Sequence, residues 1–572
     1  MAKNFKSWPE HWPRHLDYPD IPVFEMLEQT VRRSPDRVAI IFGGMELTFL
    51  ELKTLVDRMA VGLAKLGLGK DRRFAIHLPN CPQFAIAYYA GLKTGATFTP
   101  LSPLLSPGEA KHQLADSGAR VLVSLDLIFG GVKDVLGETD VEHVITTSIA
   151  DCYNPIIQPL KPLGKIPVPD TLDMAEMLRD NEGEPEAPDI DPNRDIAHLA
   201  YTGGTTGVSK GVMLTHKNVI ANCLQFSSWF SGTYPEWNGE TIVPRHPEGL
   251  DPEDSVVRQD SETALVVVPW FHAMGTIGYL NNMVGSGSTM VVFPRFDPHE
   301  YLTAVGKYRA TSMGGAPQLY VPLCSMPDFG QYDLSSIKIA ASGAAPLPVS
   351  ILNRMQDSMS GVVMEAYGAT ECTMGALANP PRRNLVRPGS VGLPLADTEV
   401  AILDPATDEE VPVGTEGEIC IRGPQVMLGY WNRPEATAEV LRDGWLHTGD
   451  VGRVDEDGYF YITDRMKDMI IYKGYNVYPR ELEEVLHTHP AVENCAVVGK
   501  PDEKGGEIPV GFVQLRPGRE ASAEELIEHV NKEVAAYKKL RDLQFVDAIP
   551  VSQAGKILKR ELREKLKQEQ PA

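Results

Sequence analysis

Apolar runs alternate with stretches of helical periodicity over the first quarter of the chain. Residues 38–42 form an uninterrupted apolar run, and residues 50–66 repeat apolar side chains at three- and four-residue intervals. The first pattern is typical of a buried strand and the second of an amphipathic helix. Further along, residues 73–78 read as a strand, 83–94 as a helix and 121–124 as a strand. The alternation predicts an α/β fold with mostly parallel sheets covered by helices.

Two stretches rich in proline and acidic residues interrupt this alternation. Residues 151–192 contain eight prolines, and residues 231–262 contain eight acidic residues among prolines and glycines. Such composition buries little apolar surface, so we expect residues 151–192 to be a surface connection and residues 231–262 to be a solvated insertion.

Length and charge narrow the class of protein. A chain of 572 residues exceeds what one hydrophobic core supports, which predicts at least two domains. The net charge of −23 argues against a nucleic-acid partner, because phosphate backbones select for an excess of lysine and arginine. Seven scattered cysteines indicate reduced thiols in the cytoplasm, and the sequence predicts no integral membrane segment.

The stretch from Thr202 to Lys210 combines glycines, threonines and a lysine between two apolar runs. Glycines let backbone N–H groups approach a ligand, and the hydroxyls and the lysine add donors suited to a phosphate. The Walker pattern fails here, since Ser209 stands where that pattern requires glycine. Two other interpretations stay open: a flexible turn between strands, and a G-x-S-x-G nucleophile elbow at residues 207–211, which requires a helix directly after it.

Three more motifs follow in order: Glu365-Ala366-Tyr367-Gly368-Ala369-Thr370-Glu371, Gly444-Trp445-Leu446-His447-Thr448-Gly449-Asp450 and Gly555-Lys556-Ile557-Leu558-Lys559-Arg560. With the glycine-rich loop, they resemble the signatures of the acyl-adenylate-forming superfamily. The resemblance is to its acyl-CoA synthetase branch, and most of all to fatty acid–CoA ligases. One departure is Ser209, where the family usually has proline.

The resemblance implies a site for ATP and AMP in which Tyr367 stacks on adenine and Asp450 accepts from the ribose hydroxyls. It assigns Mg²⁺ to Glu371 and Thr206; a carboxylate suits this hard cation. Two structural alternatives stay open: Glu371 caps a helix, and Asp450 forms an Asx turn.

The full set implied for ATP and AMP is Thr202, Gly203, Gly204, Thr205, Thr206, Gly207, Lys210, Gly343, Ala344, Ala345, Glu365, Ala366, Tyr367, Gly368, Thr370, Asp450, Ile462, Arg465 and Lys556. The catalytic set implied is Lys556, Lys210, His272, Thr370 and Glu371.

The acyl substrate is less well defined by the sequence. By resemblance, the segment around His272 borders the carboxylate and gates the passage to the nucleotide, although a histidine beside aromatic residues is also typical of a packed core. The expected acyl pocket is Trp270, Phe271, His272, Gly275, Gly315, Gly343 and Tyr367. Small residues there leave room for a fatty chain, whereas the aromatic residues suit a flat aryl or alicyclic acid.

A change of pattern near residue 465 predicts a second, smaller domain. We expect an N-terminal domain over 1–464, a hinge over 465–468 pivoting at Lys467, and a mobile α+β C-terminal domain over 469–572. Within the C-terminal domain the pattern predicts a helix over 524–540. By resemblance, the CoA-binding residues are Lys473, Gly474 and Tyr475, and Lys556 is the mobile lysine of the adenylation step.

Together these features predict an AMP-forming carboxylic acid–CoA ligase that uses ATP, Mg²⁺ and coenzyme A. The carboxylate attacks the α-phosphorus to give an acyl-adenylate and pyrophosphate, and the CoA thiol then displaces AMP. The acid is expected to be a medium- or long-chain fatty acid, with an aryl or alicyclic acid as the alternative. An acyl-AMP ligase that loads a carrier protein and a catalytically silent nucleotide-binding protein are further alternatives, and a homodimer is left open.

Overall fold

The computed structural model describes residues 7–151, 165–202, 209–249, 255–473, 475–502, 506–551 and 557–568. The strands in chain order are β1 (Val38–Phe42), β2 (Met45–Thr48), β3 (Arg73–His77), β4 (Thr97–Pro100), β5 (Val121–Leu125), β6 (His143–Thr147), β7 (Leu172–Asp173), β8 (Ile196–Tyr201), β9 (Gly211–Thr215), β10 (Tyr234–Trp237), β11 (Ile242–Arg245), β12 (Thr263–Val266), β13 (Thr289–Val292), β14 (Ser312–Gly315), β15 (Ile339–Ser342), β16 (Val362–Tyr367), β17 (Leu377–Ala378), β18 (Leu393–Pro394), β19 (Glu399–Leu403), β20 (Gly417–Arg422), β21 (Gly429–Tyr430), β22 (Leu441–Arg442), β23 (Trp445–Val454), β24 (Phe460–Arg465), β25 (Ile470–Tyr472), β26 (Tyr475–Val477), β27 (Val492–Asp502), β28 (Gly506–Leu515) and β29 (Asp542–Phe545).

The α-helices in chain order are α1 (Glu25–Arg33), α2 (Phe49–Lys65), α3 (Pro82–Lys93), α4 (Pro107–Ser117), α5 (Gly130–Lys133), α6 (Met174–Asp180), α7 (His216–Ser231), α8 (Asn282–Gly285), α9 (Pro298–Tyr308), α10 (Pro317–Ser325), α11 (Val349–Asp357), α12 (Pro434–Val440), α13 (Pro479–His487), α14 (Ala523–Glu533) and α15 (Lys559–Gln568). A π-helix, Met274–Asn281, runs directly into α8. The helix over 50–66 expected from periodicity is α2, which begins at a capping box between Thr48 and Glu51.

Two large sheets make up most of the N-terminal part. The first has the order β18-β17-β16-β15-β14-β12-β13-β1-β2, with parallel pairing from β16 to β1. The second has the order β21-β9-β8-β4-β3-β5-β6-β7, with parallel pairing from β8 to β7. Helices α2, α3 and α7 contribute to the largest apolar cluster, which also contains residues of both sheets. The expected α/β architecture is confirmed.

A third sheet carries the connection to the C-terminal part. It has the order β19-β20-β23-β22, with β24 paired to β23. The chain then enters a fourth sheet, β26-β25-β28-β27 with β29 on β28, which packs its own apolar cluster against α13 and α14. The sheets therefore change between Arg465 and Ile470, and the C-terminal part has a separate core.

The structure adds detail to two sequence expectations and corrects a third. Residues 231–262 include the antiparallel hairpin of β10 and β11, and residues 165–192 include α6. The helix expected over 524–540 ends at Glu533; beyond it the chain turns, the Asn531 side chain donates to the Leu540 carbonyl, and Leu540 is buried beside β28 without being helical.

Candidate functional site

The glycine-rich loop joins the antiparallel strands β8 and β9, whose last pair is Tyr201 and Gly211. Its two ends are tied together: the Thr202 N–H donates to the Lys210 carbonyl at 3.1 Å, and the Ser209 hydroxyl donates to the Thr202 carbonyl at 2.5 Å. Because a strand and not a helix follows directly, the nucleophile elbow is excluded. The expected phosphate contacts Gly203, Gly204, Thr205, Thr206 and Gly207 lie outside the described residues.

Tyr430 brings the loop lysine and the expected metal carboxylate together. The Lys210 ammonium lies 4.7 Å from the centre of the Tyr430 ring, and the Tyr430 hydroxyl donates to Glu371 Oε1 at 2.8 Å. The contact depends on β21 lying beside β9 at the edge of the second sheet. Sequence reasoning missed Tyr430, which stands outside every motif; its place beside the loop follows from strand pairing alone.

The turn at Gly343, Ala344 and Ala345, which by resemblance holds the adenine and is called the adenine turn below, directly follows β15. The Gly343 N–H donates to the Gly315 carbonyl at 3.1 Å, and Ala344 has φ +66°, a left-handed conformation that costs a non-glycine residue about 1 to 2 kcal/mol. Strain of this kind often accompanies a ligand site. Glu365 of the neighbouring strand β16 supports the chain just after the turn, because its Oε1 accepts from the Leu347 N–H at 2.9 Å. Burial raises the pKa of Glu365 to about 6, and Glu365 is not among the residues that line the cavity described below.

Tyr367, Asp450 and Arg465 converge from three strands. The Tyr367 hydroxyl donates to Asp450 Oδ2 at 2.6 Å, and Arg465 Nε lies 3.1 Å from Asp450 Oδ1. The Asp450–Arg465 contact follows from the register of β23 on β24. Burial and the Asp450 carboxylate raise the pKa of Tyr367 well above its usual value, so the hydroxyl remains a donor. Ile462 lies nearby on β24, but it does not line the cavity.

A cavity of about 150 Å³ lies beside the adenine turn, and Gly343 and Ala344 are among the residues that line it. Its walls are β14 and β15 on one side and α7, the π-helix and α8 on the other. The residues that line it are Phe226, Ser227, Phe230, Val257, Glu262, His272, Ala273, Met274, Gly278, Tyr279, Asn282, Met283, Ser286, Ser288, Ser312, Met313, Ile339, Ala341, Ser342, Gly343, Ala344, Ala366, Tyr367, Gly368, Ala369, Thr370, Met374 and Gly375. These walls are mostly apolar, and the nucleotide motifs stand at one end.

Of the expected acyl pocket, His272, Gly343 and Tyr367 line this cavity, and four residues do not. Trp270 is fully buried and packs on Phe84, because its ring faces the core behind the wall. A side chain at Gly275 would meet the backbone of Pro269, and Phe271 and Gly315 also lie outside the lining. The sequence analysis did not identify Phe226 and Phe230 of α7 as residues that line the cavity. The only signal for them in the sequence is the apolar face of a helix far from the motifs.

The C-terminal motifs are described only in part. Lys467 lies in the turn between β24 and β25, and Lys473, with φ +53°, lies at the turn of the β25–β26 hairpin, in which Tyr472 pairs with Tyr475. Gly474 and Lys556 lie outside the described residues. Helix α15 contacts the turn between β24 and β25 through an Arg563–Asp468 ion pair of 2.5 Å.

Family models match both parts of the chain. Residues 27–431 match the AMP-binding enzyme model, and residues 481–556 match the AMP-binding enzyme C-terminal domain. The chain belongs to this family.

Related proteins agree with that assignment. A long-chain-fatty-acid–CoA ligase of Bacillus subtilis (strain 168) is 38% identical over 569 residues, which covers 98% of this chain and 97% of the relative. A feruloyl-CoA synthase of Amycolatopsis sp is 36% identical, with 93% and 96% covered. The crystal structure of ATP-bound MatB from Rhodopseudomonas palustris superimposes with a TM-score of 0.80 at 26% identity, covering 95% of this chain and 99% of that chain.

The protein is therefore an AMP-forming acid–CoA ligase of the acyl-CoA synthetase branch, and it uses ATP, Mg²⁺ and CoA. Mg²⁺ fits the donors present, since Glu371 offers a half-buried carboxylate whose lone pairs are only partly taken by Tyr430. Among the described helices, none has both the length and the apolar character needed to cross a bilayer.

Proposed function

We propose that this ligase activates a medium- or long-chain fatty acid. The observation that carries the proposal is the lining of the cavity, which is mostly apolar and includes residues of the nucleotide motifs. A relative named as a long-chain-fatty-acid–CoA ligase, 38% identical over nearly the whole chain, also supports it.

The cavity follows the length of a strand. Ile339 and Gly343 both line it, and four residue steps of about 3.3 Å separate them along β15, so this wall is about 13 Å long. Phe226, Phe230 and Met283 face it from the helices. A hydrocarbon chain suits such walls, because each methylene removed from water contributes about 0.8 kcal/mol.

The first half-reaction joins two anions, so the protein has to offset their repulsion. The substrate carboxylate would lie beside His272 and Tyr367, where the acyl cavity meets the nucleotide site. Lys210, the backbone N–H groups of the loop and Lys556 would supply fixed positive charge and donors around the phosphates. Glu371, with Thr370 beside it, would hold Mg²⁺, which supplies further positive charge when bound.

In the second half-reaction the CoA thiol attacks the acyl carbonyl, and AMP leaves. A single arrangement does not serve both steps, so we propose that residues 469–572 form a domain that turns at a hinge over 465–468, pivoting at Lys467 against the domain of residues 1–464. One arrangement presents Lys556, and the other presents the CoA residues Lys473, Gly474 and Tyr475. The change of sheets between Arg465 and Ile470 supports a hinge at this position.

An aryl acid is the second candidate. The feruloyl-CoA synthase, 36% identical to this chain, favours it, as does the aromatic wall formed by Phe226 and Tyr279. We also propose a cytoplasmic location, since the six cysteines within the described part of the chain are buried and free. Self-association into a homodimer stays a prediction.

Pyrophosphate release over a panel of acids tests the proposal. We expect kcat/KM to rise with chain length from butyrate until the chain spans the wall of about 13 Å, to change little beyond that up to palmitate, and to be low for benzoate and ferulate. If kcat/KM is highest for ferulate and does not depend on the chain length of the fatty acids, the result favours the aryl candidate. The same assay with CoA or a pantetheine-bearing carrier protein as thiol acceptor separates the ligase from a carrier-loading enzyme.

A further inference from the structure

The motif that contains Asp450 protrudes from its strand as a bulge. Cys420 of β20 pairs with His447 of β23, and Glu418 pairs with Val451. Between these two pairs, β20 has one residue, Ile419, and β23 has three residues, 448–450. Such bulges re-aim side chains and are common beside active sites.

Glu418 holds the bulge from the neighbouring strand. Its side chain is buried, with 4% of the residue exposed. Oε1 accepts from the Gly449 N–H at 2.9 Å, and Oε2 lies 2.8 Å from His447 Nδ1. Gly449 has φ +71°, a left-handed conformation that reverses the chain just before Asp450. The Glu418 carboxylate thus fixes the backbone on which Asp450 stands.

The bulge also carries contacts on its other side. The Thr448 hydroxyl donates to the Ile419 carbonyl at 2.7 Å and accepts from the Asp450 N–H at 3.1 Å. The Gly449 carbonyl accepts from the Met466 N–H at 2.9 Å, in the turn between the two domains. A displacement of Gly449 would therefore move Asp450.

Glu418, Cys420 and His447 also lie close enough together to suggest a metal site, with ligand atoms within 4.8 Å of one another. However, Arg442 Nη2 lies 2.6 Å from His447 Nδ1 and 3.8 Å from Glu418 Oε2. The guanidinium already supplies the positive charge that a metal ion would bring. The cluster is a buried ion-pair network that holds the bulge, and not a metal centre.

We propose that Glu418 is a positioning residue for the ribose of ATP. Through the Gly449 N–H it sets the place of Asp450, whose carboxylate accepts from the 2′- and 3′-hydroxyls. The proposal rests on the ribose role of Asp450 and adds a residue that contacts no substrate.

The test is selectivity for the sugar. A site built to bind a hydroxyl strongly rejects the analogue that lacks it. We expect the wild-type enzyme to prefer ATP to 2′-deoxy-ATP and 3′-deoxy-ATP in kcat/KM for pyrophosphate release. Glu418→Ala should reduce that preference about tenfold, as expected when a charged hydrogen-bond acceptor is lost, with the KM values for acid and CoA unchanged. Glu418→Gln keeps an acceptor for Gly449 and should retain most of the preference.

Glu399→Ala is the matched control, because Glu399 lies on the adjacent strand β19, pairs with Arg422 near the surface and should leave the preference unchanged.

A merely structural role for Glu418 would lower activity with all three nucleotides by the same factor, which would overturn the proposal. If Asp450→Ala lowers the preference and neither Glu418 variant does, the ribose role stands and the positioning role fails. If Asp450→Ala itself leaves the preference intact, the underlying assignment of Asp450 is wrong. Should Glu418→Ala fail to fold, the same ratio is measured for Glu418→Leu, which also removes the acceptor for the Gly449 N–H but fills the buried space. A lowered ratio in Glu418→Leu supports the proposal, and an unchanged ratio contradicts it.

Discussion

Blocking the acyl cavity halfway along its length should turn a long-chain enzyme into a short-chain one. Ala341 lines the cavity on β15, between Ile339 at one end and Gly343 at the adenine turn. In Ala341→Phe the ring would fill the middle of the cavity, and the chain beyond it would stay in water. Four excluded methylenes at about 0.8 kcal/mol each forfeit about 3 kcal/mol, or about 10² in kcat/KM.

The assay is pyrophosphate release with acids from butyrate to palmitate. We expect butyrate to keep its kcat/KM within a few fold and palmitate to lose about 10². Val349→Phe adds the same ring at an exposed position of α11 and should leave the profile unchanged. An equal loss at every chain length, in a variant whose melting temperature matches the wild type, would show that the acyl chain does not follow this cavity.

Three further predictions concern the nucleotide site. Lys556→Ala should slow acyl-AMP formation by about 10²–10³ and spare thioester formation from preformed acyl-AMP, as single-turnover kinetics of each step would show; an equal defect in both steps would contradict the separate roles. Tyr430→Phe removes the hydroxyl that orients Glu371, and it should raise the Mg²⁺ concentration needed for half-maximal activity about tenfold, with unchanged Mg²⁺ dependence as the opposing result. The pKa of Glu365 is raised to about 6 by burial, so the folded state binds more protons than the unfolded state between about pH 4.5 and pH 6. Stability should therefore fall by about 2 kcal/mol as the pH rises through this window, and Glu365→Gln should flatten the melting temperature against pH; a parallel pH dependence in the variant would refute the assignment.

Periodicity located the regular elements but did not always fix their ends. The helix over 50–66 follows from apolar spacing and matches α2 to within one residue at each end, whereas the helix predicted over 524–540 ends at Glu533. Within residues 231–262, which were expected to be solvated, two acids instead pair with residues far along the chain. Asp260 binds Arg33 at 2.6 Å and Glu262 binds Lys338 at 2.6 Å, and a single sequence shows neither contact.

The same distinction holds at the candidate site. Tyr367, Asp450 and Arg465 are found through motifs, and the structure brings them together. Tyr430 and Glu418 are not found, because their contacts arise from the pairing of β21 with β9 and of β20 with β23. Trp270 shows the converse error, since a sequence does not distinguish an aromatic residue that lines a cavity from one packed behind its wall.

Asp450 can bind a ribose without releasing either of its protein partners. An ionised carboxylate offers about four lone-pair sites, of which Tyr367 takes one on Oδ2 and Arg465 takes one on Oδ1. One site on each oxygen is left, which is what the two adjacent hydroxyls of a ribose require. Arg465 is the last residue of β24 and the first of the hinge proposed over 465–468, and the neighbouring Gly449 carbonyl accepts from the Met466 N–H. The residue that would bind the sugar therefore also contacts the start of the proposed hinge, so displacement of Asp450 should affect both nucleotide binding and the position of the C-terminal domain.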